Sequence, residues 1–170
     1  MTVTLILGGA RSGKSRLAEK LCATPRTYIA TAQAFDDEMR DRIAQHKIQR
    51  GAAWQTIEAP LNLVEAIVAH DAVGHTILVD CVTLWLSNLL LAETDCLSAV
   101  DALILKLQNM QGHIVLVSNE VGLSIVPDNK LGRAFRDIQG IANQRIAAVA
   151  NSVVFVAAGL PLVLKGRLPE

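Results

Sequence analysis

A chain of 170 residues is long enough for one domain with a sizeable buried core. Lys plus Arg and Asp plus Glu balance at 16 each, so no general field draws the chain onto nucleic acid or an anionic membrane, and any phosphate affinity must be local. Apolar residues make up 51% of the chain and aromatics only 4%, which leaves Leu, Ile, Val and Ala to fill the interior.

In chain order, an apolar β-branched run predicts a first strand over Thr2–Leu7, a glycine-rich turn, and a helix over Lys14–Cys22. A strand over Thr27–Ala30, a helix over Asp36–Gln49, a short strand over Trp54–Glu58 and a helix over Leu61–His70 follow. Next come a strand over Thr76–Asp80, helices over Leu84–Leu91 and Ser98–Asn109, and a strand over Ile114–Ser118. A helix over Asn129–Ala150 leads to a strand over Val153–Ala157 and a final antiparallel edge strand over Leu160–Leu164. Most strand runs are continuously apolar, as burial on both faces requires. Strands alternating with helices predict an α/β fold, a mostly parallel, doubly wound sheet in one domain spanning residues 1–170. Ligands of such sheets bind beyond the carboxyl ends of the strands. Attention therefore falls on Gly8–Ser15, Thr31–Gln33, Asp80–Thr83 and Ser118–Gly122.

The first of these decides the chemistry. Gly8-Gly9-Ala10-Arg11-Ser12-Gly13-Lys14-Ser15 fits G-x-x-x-x-G-K-[ST] at every position, after a strand and before a helix. Its glycines let successive N–H groups turn inward onto phosphate oxygens, helped by the positive end of the helix that follows. Lys14 is expected at the β- and γ-phosphates, and Ser15 as a ligand of Mg²⁺. Asp80, ending the strand TILVD, is the candidate second metal ligand. Glu120 is a further carboxylate on the same rim, with a functional role and a structural hydrogen bond both open.

Arg42, His46 and Arg50 recur every four residues along the second helix. That spacing drifts roughly 40° per step, so the three share one ridge. Such a ridge suits either a histidine nucleophile in an anion-binding face or a plain solvated surface. His70, His75 and His113 lack this company and are expected to be structural or exposed. Arg133, Arg136 and Asn143-Gln144-Arg145 form a polar helix face, open to phosphate, to another subunit or to solvent.

No run reaches the ~20 apolar residues that span a bilayer; the richest, Val82 to Ala92, is broken by Thr83, Ser87 and Asn88. MTVTLILGG lacks the basic flank of a secretion signal. Cys22, Cys81 and Cys96 are odd in number with no CxxC spacing, which predicts reduced thiols in a cytoplasmic protein.

GGARSGKSRLAE, YIATAQAFDDEMRDRIAQHKIQR, LVDCVTLWLSNLL, SNEVGLSIVPDNKLGRAFRDIQGIANQRIA and AGLPLVLK together resemble blocks of the adenosylcobinamide kinase / adenosylcobinamide-phosphate guanylyltransferase family, nearly end to end. The phosphate loop alone identifies only a superfamily; its combination with RI-x-x-H and VP-x-N-x-L-G-R-x-F-R-D is far more specific. The resemblance implies a bifunctional enzyme of cobalamin biosynthesis. It would phosphorylate adenosylcobinamide with ATP or GTP, then transfer GMP from GTP onto that phosphate, releasing pyrophosphate and adenosylcobinamide-GDP. It implies a guanylylated histidine at His46, preceded here by Gln45. It assigns guanine-nucleotide contacts to the phosphate loop, Thr31, Ala32, Gln33, Lys47, Ile48, Gln49, Arg50, Glu58 and Asp80, and implies a homotrimer with sites between subunits. Ser124 departs from the family pattern, which has Gly there, and bears on loop flexibility. Two other readings of the loop are a monofunctional small-molecule kinase and a nucleotide-switched binding protein.

Overall fold

The computed structural model describes residues 2–33 and 53–168; the predicted helix over Asp36–Gln49 lies outside them. Strand β1 (Thr2–Gly8) runs through the glycine loop into helix α1 (Lys14–Lys20), then β2 (Arg26–Ala30) and β3 (Gln55–Glu58). Helix α2 (Leu63–His70), β4 (Thr76–Asp80), α3 (Val82–Leu91) and α4 (Cys96–Leu107) come next. The chain continues through β5 (His113–Asn119), α5 (Lys130–Val149), β6 (Ser152–Ala157) and β7 (Leu160–Lys165).

The strands of the described residues form one sheet in the order β3-β2-β4-β5-β1-β6-β7. Every pairing is parallel except β6 with β7. The expected doubly wound sheet and antiparallel edge strand are both present. β1 shows why its strand had to be apolar throughout. Val3, Leu5 and Leu7 face a core shared with α2, α3, α4 and α5, while Ile6 faces a second core with Ala18 of α1, Leu78, Val115 and Val117. The larger core centres on Trp85, 1% exposed, whose indole N–H donates to the Leu61 carbonyl at 2.9 Å. Each fully buried aliphatic side chain of this core, such as Leu63, Ile67 or Leu86, contributes about 1.5–3 kcal/mol.

Several helix ends differ from the sequence expectation by two residues. α4 starts at Cys96 rather than Ser98, because Asp95 caps it by accepting from the N–H groups of Leu97 and Ser98. α3 starts at Val82 rather than Leu84, directly after Cys81, whose backbone is extended and whose N–H donates to the Thr31 hydroxyl. The start of α5 matches expectation: Asn129 accepts from the Gly132 N–H at 2.7 Å, a cap worth about 1 kcal/mol.

Three histidines have structural partners. His75 and His113 lie at the amino ends of the strands, within hydrogen-bond distance of the Thr27 and Thr4 hydroxyls, and His70 of the Ala66 carbonyl. Burial pushes the His113 pKa down. The three cysteines are free and buried, and burial pushes the Cys22 thiol up to about 12.

Candidate active site

Strand register places the carboxyl ends side by side. Glu58 stands opposite Ala30, Ala30 opposite Asp80, Asp80 opposite Val117, and Gly8 opposite both Asn119 and Val156. Bonds beyond the sheet ladder stitch this rim together. The Ala59 N–H donates to Ala30, Thr31 to Asp80, Glu120 to Gly8, and Gly159 to Ser12, each onto a carbonyl at 2.9–3.2 Å. The segments singled out in the sequence therefore share one edge of the sheet.

Within the loop, Arg11 and Gly13 hold positive φ of 54° and 96°, the conformation that turns successive N–H groups to one side. A Cβ on Gly13 would sit 3.2 Å from the Gly159 Cα, and one on Gly8 only 2.6 Å from the Val156 carbonyl oxygen and the Ser12 hydroxyl. The second overlap is partly with backbone and cannot relax by a rotamer change. Gly8→Ala should therefore weaken nucleotide binding at least tenfold by displacing the loop; calorimetric titration with GTP checks this, and wild-type affinity would refute it. Lys14 is 8% exposed and its ammonium donates to the Gly9 carbonyl at 3.0 Å, which holds the cation beneath the loop. Ser15 follows it in the first turn of α1.

Asp80 is oriented from the neighbouring strand. The Tyr28 hydroxyl donates to its Oδ2; Tyr28 is opposite Leu78, so Asp80, two residues on, shares its face. Tyr28 meets Trp54 edge-on at 5.8 Å between ring centroids, and the Arg26 guanidinium lies 4.2 Å from the Trp54 centroid. The carboxylate is thus backed by an edge-to-face aromatic pair. Burial first, then the Asp80 charge, pushes the Cys81 thiol up, so this thiol beside the site stays protonated.

A buried polar cluster underlies the rim at β5. The Ser118 hydroxyl donates to Asn143 Oδ1 at 2.7 Å and accepts from the Gln139 amide at 2.9 Å. The Asn119 N–H donates to the Thr83 hydroxyl at 2.8 Å, and its carbonyl accepts from the Asn143 amide at 3.1 Å. Both backbone groups of Asn119 are clamped by side chains, just before Glu120.

The chain matches the model of the cobinamide kinase / cobinamide phosphate guanyltransferase family over residues 4–164. It belongs to that family. Curated relatives agree. The chain is 49% identical to a bifunctional adenosylcobalamin biosynthesis protein of Pseudomonas aeruginosa, covering 96% of this chain and 97% of the relative. It is 43% identical to a protein of the same description from Salmonella typhimurium, covering 95% and 98%. Among solved structures, a KaiC-like protein of Pyrococcus horikoshii OT3 superposes with a TM-score of 0.52 at 14% identity, covering 98% of this chain and 79% of that one. The P4 protein of bacteriophage phi6 gives 0.50 at 16%, covering 94% and 52%. These two likenesses concern the fold alone, that of P-loop NTPases.

This cobinamide kinase / guanyltransferase family member thus brings Gly8–Ser15, Thr31–Gln33, Glu58 and Asp80 to one rim. His46, Lys47, Ile48, Gln49 and Arg50, with Arg42, lie outside the described residues. Sequence reasoning missed Tyr28 and the pair Gln139 and Asn143. The sequence places Asn143 on a polar helix face, but it is 6% exposed and Gln139 is 0% exposed. Their four-residue spacing in step with Ala142 and Ile146 was the available signal. The face's arginines have other partners: Arg133 donates to the Pro127 and Asp128 carbonyls, and Arg145 pairs with Asp101 at 2.7 Å.

Proposed function

We propose that one site carries out both family reactions, with His46 as the covalent nucleophile of the second. The observation that carries this reading is the complete phosphate loop set beside Asp80 and Thr31 on a single rim, in a chain matching the family over nearly its whole length. In the kinase half, the loop N–H groups and Lys14 hold the triphosphate of ATP or GTP and neutralise its charge. In the guanylyl half, His46 attacks the α-phosphorus of GTP and pyrophosphate leaves; the phosphate of adenosylcobinamide phosphate then displaces the histidine. Thr31, Ala32, Gln33, Lys47 through Arg50 and Glu58 are assigned to the nucleotide.

The donor set suits Mg²⁺. Ser15 and Asp80 offer two hard oxygens, and no group of three His, Cys, Asp or Glu side chains suited to a metal occurs among the described residues. An ion held by one or two protein oxygens plus substrate phosphates is the usual arrangement for Mg²⁺. When bound, it would supply charge neutralisation on the phosphates. Tyr28, by engaging Asp80 Oδ2, orients the carboxylate for that task.

We assign the enzyme to the cytoplasm, as one catalytic unit over residues 1–170, working as a homotrimer. No helix of the described residues is long and apolar enough to cross a membrane. Exposed apolar residues support an assembly: β7 is exposed along its whole length, and Leu123 and Ile125 are 82% and 93% exposed. An exposed apolar edge strand is a ready template for pairing with another chain.

The test is incubation with GTP, Mg²⁺ and adenosylcobinamide, followed by mass analysis of the corrinoid and of the native protein. Adenosylcobinamide phosphate followed by adenosylcobinamide-GDP, made by a trimer, is expected. Phosphate transfer without the second product would leave a plain kinase, and nucleotide turnover with no modified corrinoid a nucleotide switch.

A further inference from the structure

We propose that Glu120 is the base that takes the proton from the acceptor hydroxyl in the kinase half-reaction; this rests on the kinase reading above and names the residue that reading leaves open. The argument begins with topology. β5 lies between β1, which delivers the phosphate loop, and β4, which delivers Asp80. The residue that leaves β5 at the rim therefore emerges between the phosphate-holding and metal-holding elements. That residue is Glu120, whose N–H donates to the Gly8 carbonyl at 3.1 Å.

Its support is rigid. Asn119, immediately before it, is clamped through its N–H by Thr83 and through its carbonyl by Asn143. Asn143 is locked in turn by Ser118 and Gln139. A base must be held to within a fraction of an ångström, and a buried, hydrogen-bonded support of this kind achieves that. The carboxylate itself is divided. Oε1 accepts from the Gly122 N–H at 2.6 Å, and Oε2 has no hydrogen-bond partner among the described residues. One oxygen fixes the rotamer and the other remains to accept a proton.

The competing carboxylates fit less well. Asp80 Oδ2 accepts from Tyr28, and Asp80 is assigned to the metal. Glu58 ends β3, at the edge of the sheet and separated from β4 by β2. In the step, the substrate oxygen forms a bond to the γ-phosphorus as the bond to the β,γ-bridging oxygen breaks. The nucleoside diphosphate leaves with that electron pair, and the hydroxyl proton passes to Oε2. Glu120 is only partly buried, so the proton returns to solvent. Positioned bases typically contribute 10²–10⁴-fold, and the loose transition state of phosphoryl transfer places this one near the lower limit.

Glu120→Gln separates this role from a structural one, because the glutamine carbonyl still accepts from the Gly122 N–H. The expected result is a fall of about 10²-fold in kcat for adenosylcobinamide phosphorylation, with both KM values nearly unchanged. Formation of the enzyme–GMP adduct from GTP should proceed at the wild-type rate. Wild-type phosphorylation by Glu120→Gln would overturn the proposal, and so would equal losses in both half-reactions, which mark a shared structural or metal-binding role. If wild-type enzyme itself forms no adenosylcobinamide phosphate, the kinase reading fails first and takes this one with it.

Discussion

Replacing His46 with asparagine should separate the two reactions, leaving adenosylcobinamide phosphate to accumulate. Transfer of the γ-phosphate to a hydroxyl needs no covalent intermediate, so kinase turnover should persist. Guanylylation needs the nucleophile; removing such a group typically costs on the order of 10⁴–10⁶ in rate. Label from α-labelled GTP should remain on denatured wild-type protein and be absent from the variant. Lys47, the adjacent amine, is a weak competitor because a lysine ammonium titrates near ~10.4 and is protonated at neutral pH. Phosphoramidates of histidine and lysine are both acid-labile, so peptide mapping must locate the adduct. Wild-type production of adenosylcobinamide-GDP by His46→Asn would refute the covalent mechanism.

Lys14→Ala should abolish both reactions together. Its ammonium is held beneath the loop against the Gly9 carbonyl, and each reaction moves negative charge on the triphosphate. Losing one preorganised charge donor typically costs roughly 10²–10³-fold. The fold should survive: a buried cation is removed while the short helix keeps a good helix former. The discriminating measurement is steady-state kinetics of both half-reactions, with circular dichroism as the fold control. Wild-type rates in a well-folded variant would overturn the role given to the loop.

The strands were legible because burial on both faces leaves a continuous apolar run, as in TILVD and HIVLVSN. The phosphate loop was legible because its glycines answer a local steric demand, visible at Gly8 and Gly13. Tyr28 was not, since its role depends on lying diagonally from Asp80 across two strands 52 residues apart. Gln139 and Asn143 were not, because a polar residue within a helix reads the same whether it meets water or a buried serine. Local periodicity reports which face a residue occupies, whereas these roles depend on what another element places there. The histidine ridge was legible only as a pattern; the family resemblance supplied its chemistry, and it lies outside the described residues.

The bond from the Gly159 N–H to the Ser12 carbonyl ties the phosphate loop to a turn that is synthesised nearly a chain length later. β1 pairs only with β5 and β6, so an emerging N-terminal half has nowhere to dock its most apolar strand. Parallel pairings of such sequence separation form slowly and leave sticky intermediates exposed. The loop is therefore expected to take its described shape only once β5 and β6 have been made, and a fragment ending before them would carry the whole GGARSGKS motif without the scaffold that gives it shape.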